Sequence, residues 1–240
     1  MISLQLIKKK FGKQQVLSGI SLDFTSEQPV ALVGPNGSGK TTLIKCILGL
    51  VKPDSGNILF KGLPVGNDFE YRRYLGYMPQ SGRFPEQMTV GQVFTMVKDL
   101  RRDATNLDDE LMVSFRLTEI FHKRIYALSG GMRQKVSAAL TFLFQPEVLI
   151  LDEPTAGLDP AASEILKEKV LKEIGKGKLL IVTSHNLADL EELTTRLVYL
   201  VDGSCQFDGS LDGLKSLTGQ QKLSRAIAKI SSNWSPKMTA

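Results

Sequence analysis

At 240 residues, with 42% hydrophobic and 23% charged side chains, the chain has enough apolar content for one large core or two small ones. The longest apolar runs, such as "VLIL" at 148–151, are far too short to cross a bilayer, and "MISLQLIKKKFG" lacks the basic-then-apolar order of a secretory leader, so a cytoplasmic protein is expected. The net charge of +5 is carried by residues 213–240, where Lys215, Lys222, Arg225, Lys229 and Lys237 meet no acid; the balanced remainder is unlike a nucleic-acid-binding body.

In chain order, "ISLQLI", "ISLDF" and "NILFKG" alternate as strands do, the last following the turn signal "KPDSG". Between them "PVALVG" reads as a short buried parallel strand that runs into a Gly-rich loop. "TTLIKCILGL" then sets Leu43, Ile44, Ile47 and Leu48 on one helical stripe. Residues 87–145 change character: "TVGQVFTMVKDLRR", "DDELMVSFRL" and "GGMRQKVSAALTFLF" are helix-like, which predicts a helical insert at about 81–145 in an α/β core. From 147 the α/β rhythm returns with strand "EVLILD", helix "AASEILKEKVLKEI", strand "KLLIVTSH", helix "LADLEELTTR" and strand "LVYLVDG". The end, "LKSLTGQQKLSRAIAKI", reads as a loose basic helix that contacts an acidic protein, a lipid surface or solvent, and "SSNWSPKMTA" as a frayed terminus. Cys46 and Cys205 stand far apart with no CxxC and no adjacent His, so reduced or buried thiols are expected.

Two stretches carry phosphate chemistry. "GPNGSGKT", Gly34 to Thr41, fits G-x-x-x-x-G-K-[ST] at every fixed position, with a strand before it and a helix after it. Its glycines let successive N–H groups turn inward as an anion nest, and the following helix adds its positive end. Lys40 can reach the β- and γ-phosphates, and the Thr41 hydroxyl can ligate Mg²⁺. "VLILDEP" ends an apolar strand in two acids; an Asp at a buried strand tip calls for a cation, so Asp152 is assigned to the metal, through water, and Glu153 to the attacking water. The guanine-reading N-K-x-D of GTPases is absent. "LSGGMRQK" at 128–135 is a second anion-binding helix start, with Ser129 able to cap and Gly130 and Gly131 allowing close approach. His185 in "IVTSH" follows an apolar strand at a position from which it can approach a γ-phosphate, whereas Gln80 in "YMPQ" carries little meaning alone.

Taken together, the P-loop, Gln80, "LSGG", "LILDEP", "AGLD" and His185 stand in the order and spacing of the ABC-transporter ATPases, which the chain resembles to about residue 212. The resemblance implies a P-loop NTPase fold of the ABC type. It would have an antiparallel β subdomain, a helical subdomain at about 81–145 within a domain of residues 1–212, and a basic extension at 213–240. It implies ATP and Mg²⁺ as cofactors, and a second copy of the chain packed head to tail so that Ser129, Gly130 and Gly131 serve the γ-phosphate held by the other P-loop. Phe11 would stack on adenine with Val16 beside it; Gly34, Pro35, Asn36, Gly37, Ser38, Gly39, Lys40, Thr41 and Thr42 would hold the phosphates. Thr41 and Gln80 would ligate Mg²⁺ beside Asp152. Glu153 would act as base, His185 would bridge to the γ-phosphate, and Asp159 would connect the two sites across the dimer. An integral-membrane permease docked on the helical insert, with Gln80 reporting to it, would place the chain at the cytoplasmic face of the membrane.

More finely, "YMPQSGRFPEQMTV", "SGGMRQKVSAALTFLFQPEVLILDEPTAGLDPAASEILKEKV" and "FDGSLDGLKSLTG" followed by "LSRAIAKI" are similar to the ATPase of the nitrous-oxide-reductase maturation system, which implies copper-site assembly with a periplasmic accessory protein reached through the permease. Other ABC-2 exporters share "SGGMRQ" and a similar tail. Copper itself is not expected to bind, because the Met and Cys residues are not clustered. A soluble ABC ATPase without a permease is the remaining reading. The short span from Gln80 to Ser129 leaves room only for a compact insert, without the long coiled coil such proteins often carry.

Overall fold

The computed structural model describes residues 1–66 and 69–232. The chain opens with a long hairpin, β1 (Ile2–Phe11) and β2 (Gln14–Phe24), and then enters β3 (Val30–Val33), the Gly-rich loop and helix α1 (Lys40–Ile47). β4 (Ser55–Phe60) and β5 (Leu63–Pro64) return to the hairpin and complete a four-stranded antiparallel sheet in the order β2-β1-β4-β5. Its inward residues alternate with exposed ones, as in Leu17, Ile20, Leu22 and Phe24 of β2, because only one face is covered. Next come β6 (Leu75–Met78) and the helical segment, with α2 (Val90–Asp99), α3 (Glu110–Ser114) and α4 (Gly130–Phe142). The chain closes with β7 (Val148–Asp152), α5 (Pro160–Gly175), β8 (Leu179–Thr183), α6 (Leu187–Leu193), β9 (Arg196–Val201), β10 (Ser204–Ser210), α7 (Leu211–Thr218) and α8 (Leu223–Ser232).

The second sheet has six strands in the order β10-β9-β3-β8-β7-β6, parallel except for the β9–β10 pair. Its central strands are apolar up to the Asp152 and Thr183 tips of β7 and β8 because both faces are covered. In β7, Val148 and Ile150 face the apolar cluster under α1 and the antiparallel sheet, whereas Leu149 and Leu151 face the cluster formed with the helices. The α/β architecture with an antiparallel β subdomain and a helical subdomain is as expected. β5, β6 and β10 are additional to the elements read from the sequence, and the one helix read over 214–230 is two, α7 and α8. The helical segment also does not end cleanly at 145. α4 begins beside the loops of the insert, yet its Val136, Ala139 and Phe142 lie in the same core as β7, and the Thr141 hydroxyl donates to the Tyr77 carbonyl of β6 at 3.2 Å.

Charged groups also join the insert to the core. Lys169 on α5, only 1% exposed at its side chain, lies 2.5 Å from Asp108, 2.8 Å from Glu110 and 3.0 Å from Glu173. Glu173 is fully buried and also pairs with Lys176 and Lys178. Burial pushes the Glu173 carboxyl upward, but hydrogen bonds from Lys176, Lys178 and Lys169 outweigh it and hold the group down at about 2.

The basic end differs from the loose helix expected of it. α7 crosses the 212/213 boundary, is capped by Ser210 and ends at Gly219, whose φ of 66° is the left-handed turn that glycine adopts without cost. α8 then folds back, burying Leu223 and Ala226 in the main core while Lys229 donates to the Thr218 carbonyl at 2.7 Å. The frayed terminus expected from 231 lies, from 233 onward, outside the described residues. Ending the chain at Gly219 therefore removes core contacts worth about 2–4 kcal/mol. The thermal midpoint should drop by roughly 4–16 °C in calorimetry, while nucleotide affinity at low temperature stays unchanged because α8 contributes no residue to the phosphate pocket.

Candidate functional site

The Gly-rich loop lies where β3 meets α1. Gly39 occupies the helix N-cap with φ 100°, and a methyl group there would sit 2.8 Å from the Val16 carbonyl oxygen. The loop thus packs directly on β2, so glycine is required for both conformation and clearance. Lys40 turns back over the loop, its ammonium donating to the Gly34 carbonyl at 2.6 Å and the Pro35 carbonyl at 3.0 Å. Burial lowers the Lys40 pKa, against the opposing pull of Asp152 and Glu153. Ser38 is buried with its hydroxyl unpaired within the protein.

Across the cavity stand the tips of β7 and β8. Asp152 accepts a 2.5 Å hydrogen bond from the Thr183 hydroxyl of β8, which fixes one carboxylate oxygen. Glu153, the first residue past β7, has a left-handed backbone with φ 52°, unfavourable for a residue carrying Cβ. That conformation is held from several sides. Its N–H donates to the Thr183 carbonyl at 3.0 Å, and its carbonyl receives the Ala156 N–H at 3.1 Å and the Gln134 amide at 3.4 Å. The result turns the carboxylate toward His185, whose backbone N–H donates to Oε2 at 3.0 Å and whose Nε2 lies 3.6 Å from Oε1.

These residues enclose one cavity of ≈ 270 Å³. Val16, Asn36, Gly37, Ser38, Gly39, Lys40, Thr41, Thr42, Gln80, Asp152, Glu153 and His185 all line it. Gly34 and Pro35 lie just behind, contributing the carbonyls that receive Lys40. Phe11 does not line it. It is half-exposed at the end of β1, paired with Gln14 of β2, and Gln14 does line the cavity. Gln14 has no motif to mark it; only the fold brings it to the cavity, as it brings the Thr183 hydroxyl to Asp152. One side of the cavity offers a cation and a helix start, and the other offers two carboxylates, an amide and a hydroxyl. That donor set fits a polyphosphate with a hard divalent ion, the phosphates over Lys40 and the loop, the ion among the Thr41, Gln80 and Asp152 oxygens.

The second glycine-rich helix start is elsewhere. Gly130 borders a separate cleft of ≈ 730 Å³ together with Gln80, Gln134 and Gly157. Ser129 caps α4, accepting the Met132 N–H at 3.2 Å. The two glycines differ in role within the chain. Gly131 is needed for packing, since a methyl group would sit 2.6 Å from the Gly157 carbonyl oxygen, whereas around Gly130 there is open space. Asp159 caps α5 through the Ala162 N–H and pairs with Lys135 of α4 at 2.7 Å; Lys135 and that backbone bond hold its pKa below the usual range. The signature helix is thereby tied to the "AGLD" loop, and neither Ser129 nor Asp159 reaches the phosphate cavity of its own chain.

The ABC transporter family model matches residues 17–156. An uncharacterized ABC transporter ATP-binding protein of Bacillus subtilis strain 168, YhaQ, is 33% identical over 227 residues, covering 93% of this chain and 76% of its own. The Nod factor export ATP-binding protein I of Rhizobium sp. strain N33 is 34% identical over 217 residues, covering 87% of this chain and 70% of its own. Among solved structures, an ATP-binding subunit of an ABC transporter superposes with a TM-score of 0.86 at 28% identity, over 96% of this chain and 99% of that one. A dimeric ATP-binding cassette in a post-hydrolysis state, bound to ADP and Pi, shares the fold with a TM-score of 0.74 at 22% identity, over 88% of this chain and 98% of that one. By the length of the match and the pocket at its centre, the chain belongs to the ABC transporter family, as one of its nucleotide-binding, ATP-hydrolysing domains.

Proposed function

We propose that two copies of this chain close on ATP and drive a membrane permease that exports its substrate. The observation that carries this reading is the separation of the two phosphate-binding elements. One cavity gathers Lys40, Thr41, Gln80, Asp152 and Glu153, while the open Gly130 edge of α4 faces a different cleft. A head-to-tail pair would bring the second copy's Ser129, Gly130 and Gly131 onto the γ-phosphate over Lys40, with Asp159 at the junction and Phe11 and Val16 beside the base. The dimeric cassette of the same fold supports such pairing.

Within the site, Lys40 and the Asn36–Thr42 backbone bind and orient the phosphates. Mg²⁺ bound by Thr41, Gln80 and Asp152 would neutralise charge on the phosphate oxygens. Glu153, aimed by its left-handed backbone, accepts the proton of the attacking water. His185, mostly exposed and beside Glu153, holds the γ-phosphate in line. Closure and release follow, since ATP bridges both copies and its products do not.

Export is favoured by several relatives named as Nod factor export ATP-binding proteins, which points to an ABC-2 type exporter. The narrower assignment, copper-site maturation of nitrous-oxide reductase, rests on the likeness of residues 77–90, 129–170, 207–219 and 223–230 alone. Among the described residues no helix is long and apolar enough to cross a membrane, so attachment to its cytoplasmic face would run through the permease. Affinity capture of the tagged chain from detergent-solubilised membranes tests the reading. An integral-membrane permease should be recovered in stoichiometric amount, and its identity separates the two export assignments. A wholly soluble pool with no such partner would favour a soluble ATPase instead.

A further inference from the structure

We infer that Gln134 is a positioning residue that carries the state of the signature helix to the water-activating carboxylate of its own chain. The residue lies on α4, one turn beyond the Ser129 cap, and is 4% exposed. Its amide nitrogen donates to two consecutive carbonyls, Glu153 at 3.4 Å and Pro154 at 3.3 Å. Those are the carbonyls of the left-handed residue and its successor, at the point where the chain leaves β7. A polar side chain so buried must spend its donors on defined partners. Here both point at the one backbone conformation on which the aim of the Glu153 carboxylate depends.

Two further contacts tie α4 to the loop that follows this turn. Gly131 packs on the Gly157 carbonyl too closely for any side chain, and Lys135 is paired with Asp159. Gln134 sits between them and is the contact that reaches Glu153 itself. A small rotation of α4 changes the angle of two hydrogen bonds to the Glu153–Pro154 backbone. The inference rests on the shared-site reading above: the α4 start meets the second copy's nucleotide, so the fit of α4 there is felt by the base at home. Each site would then hydrolyse only when its own α4 has found ATP across the interface. Gln134 does not line the phosphate cavity and acts through Glu153.

The test uses the full chain with Gln134→Met, which keeps length and volume but has no donor, and Gln134→Glu, which donates only when protonated. Gln134→Met should lower kcat about 30-fold or more, a loss in the range of a misaimed catalytic group, with KM for Mg-ATP within about twofold of the parent. For Gln134→Glu, the ratio of its kcat to the parent's should climb as pH falls, because protonation restores a donor; the Gln134→Met ratio should stay flat. In a Glu153→Gln background, adding Gln134→Met should leave the ATP concentration needed for dimerisation within about threefold. Parental kcat in Gln134→Met, a KM rising in step with the loss, or a pH-independent Gln134→Glu ratio would overturn the assignment. If Glu153→Gln alone never dimerises, the shared-site reading fails, while kcat and the pH ratio still decide whether Gln134 aims Glu153.

Discussion

Replacing Glu153 by Gln should lower steady-state ATP hydrolysis by about 100-fold or more and trap a dimer that doubles its mass only when Mg-ATP is present. The amide has the carboxylate's shape and its oxygen can still accept the His185 N–H, so the turn after β7 keeps its form. It cannot take a proton from water. Lys40 and the loop are untouched, ATP binds, and the bridge between copies forms without being cut. Light scattering with and without nucleotide reads the outcome. A variant that holds ATP tightly yet remains a monomer would remove the reason for placing the α4 start on the second copy's phosphate.

Replacing Lys169 by Met should cost roughly 3–5 kcal/mol of folding stability, because the fully buried Glu173 loses the most buried of its three cations and Asp108 loses its own. For a chain of this size that is a fall of about 6–20 °C in the thermal midpoint. Lys176 and Lys178 still reach Glu173, which keeps the loss from being larger. The same site sets a pH dependence. The Glu173 carboxyl is depressed from 4.5 to about 2, so its stabilisation is complete above 4.5 and is lost as pH falls toward 2. Removing Lys169 leaves burial less opposed, moves the folded pKa upward, and should shift acid unfolding to higher pH. Urea melts at neutral pH and near pH 4 measure both effects; unchanged midpoints would show that the cluster is electrostatically neutral to folding.

The sequence declares the cavity well because its chemistry is local. A Gly-rich loop, a Lys and a Thr must be contiguous to wrap a phosphate chain, and an apolar strand ending in Asp-Glu reads as such on its own. The groups that aim this chemistry are not contiguous. Thr183 meets Asp152 across two strands, and Gln134, though within the signature stretch, meets Glu153 from 19 residues away in sequence. Lys169 is read as one more charge on an amphipathic helix, since nothing local places Asp108 and Glu110 over it. At the sheet edges, β6 has only four residues with Gly76 among them, and β10 is mostly polar, so neither carries an apolar strand's pattern. At the end of the chain, uncompensated positive charge hides the stripe of Leu223, Ala226, Ile227 and Ile230 that seats α8 on the core.

The position of β3 has a consequence for how this protein comes into being. In the sheet order β10-β9-β3-β8-β7-β6, the strand that leads into the phosphate loop pairs only with β8 and β9. Val30 finds its neighbours in Ile181 and Arg196, near the far end of the chain. During synthesis the nucleotide loop thus emerges early and waits, its strand unpaired on both edges, until nearly all the rest has been made. Parallel pairings this distant are slow to form and expose sticky edges meanwhile. The ability to hold ATP therefore arrives only once β9 has been made, and a chain stalled or ended before it presents no half-working ATPase.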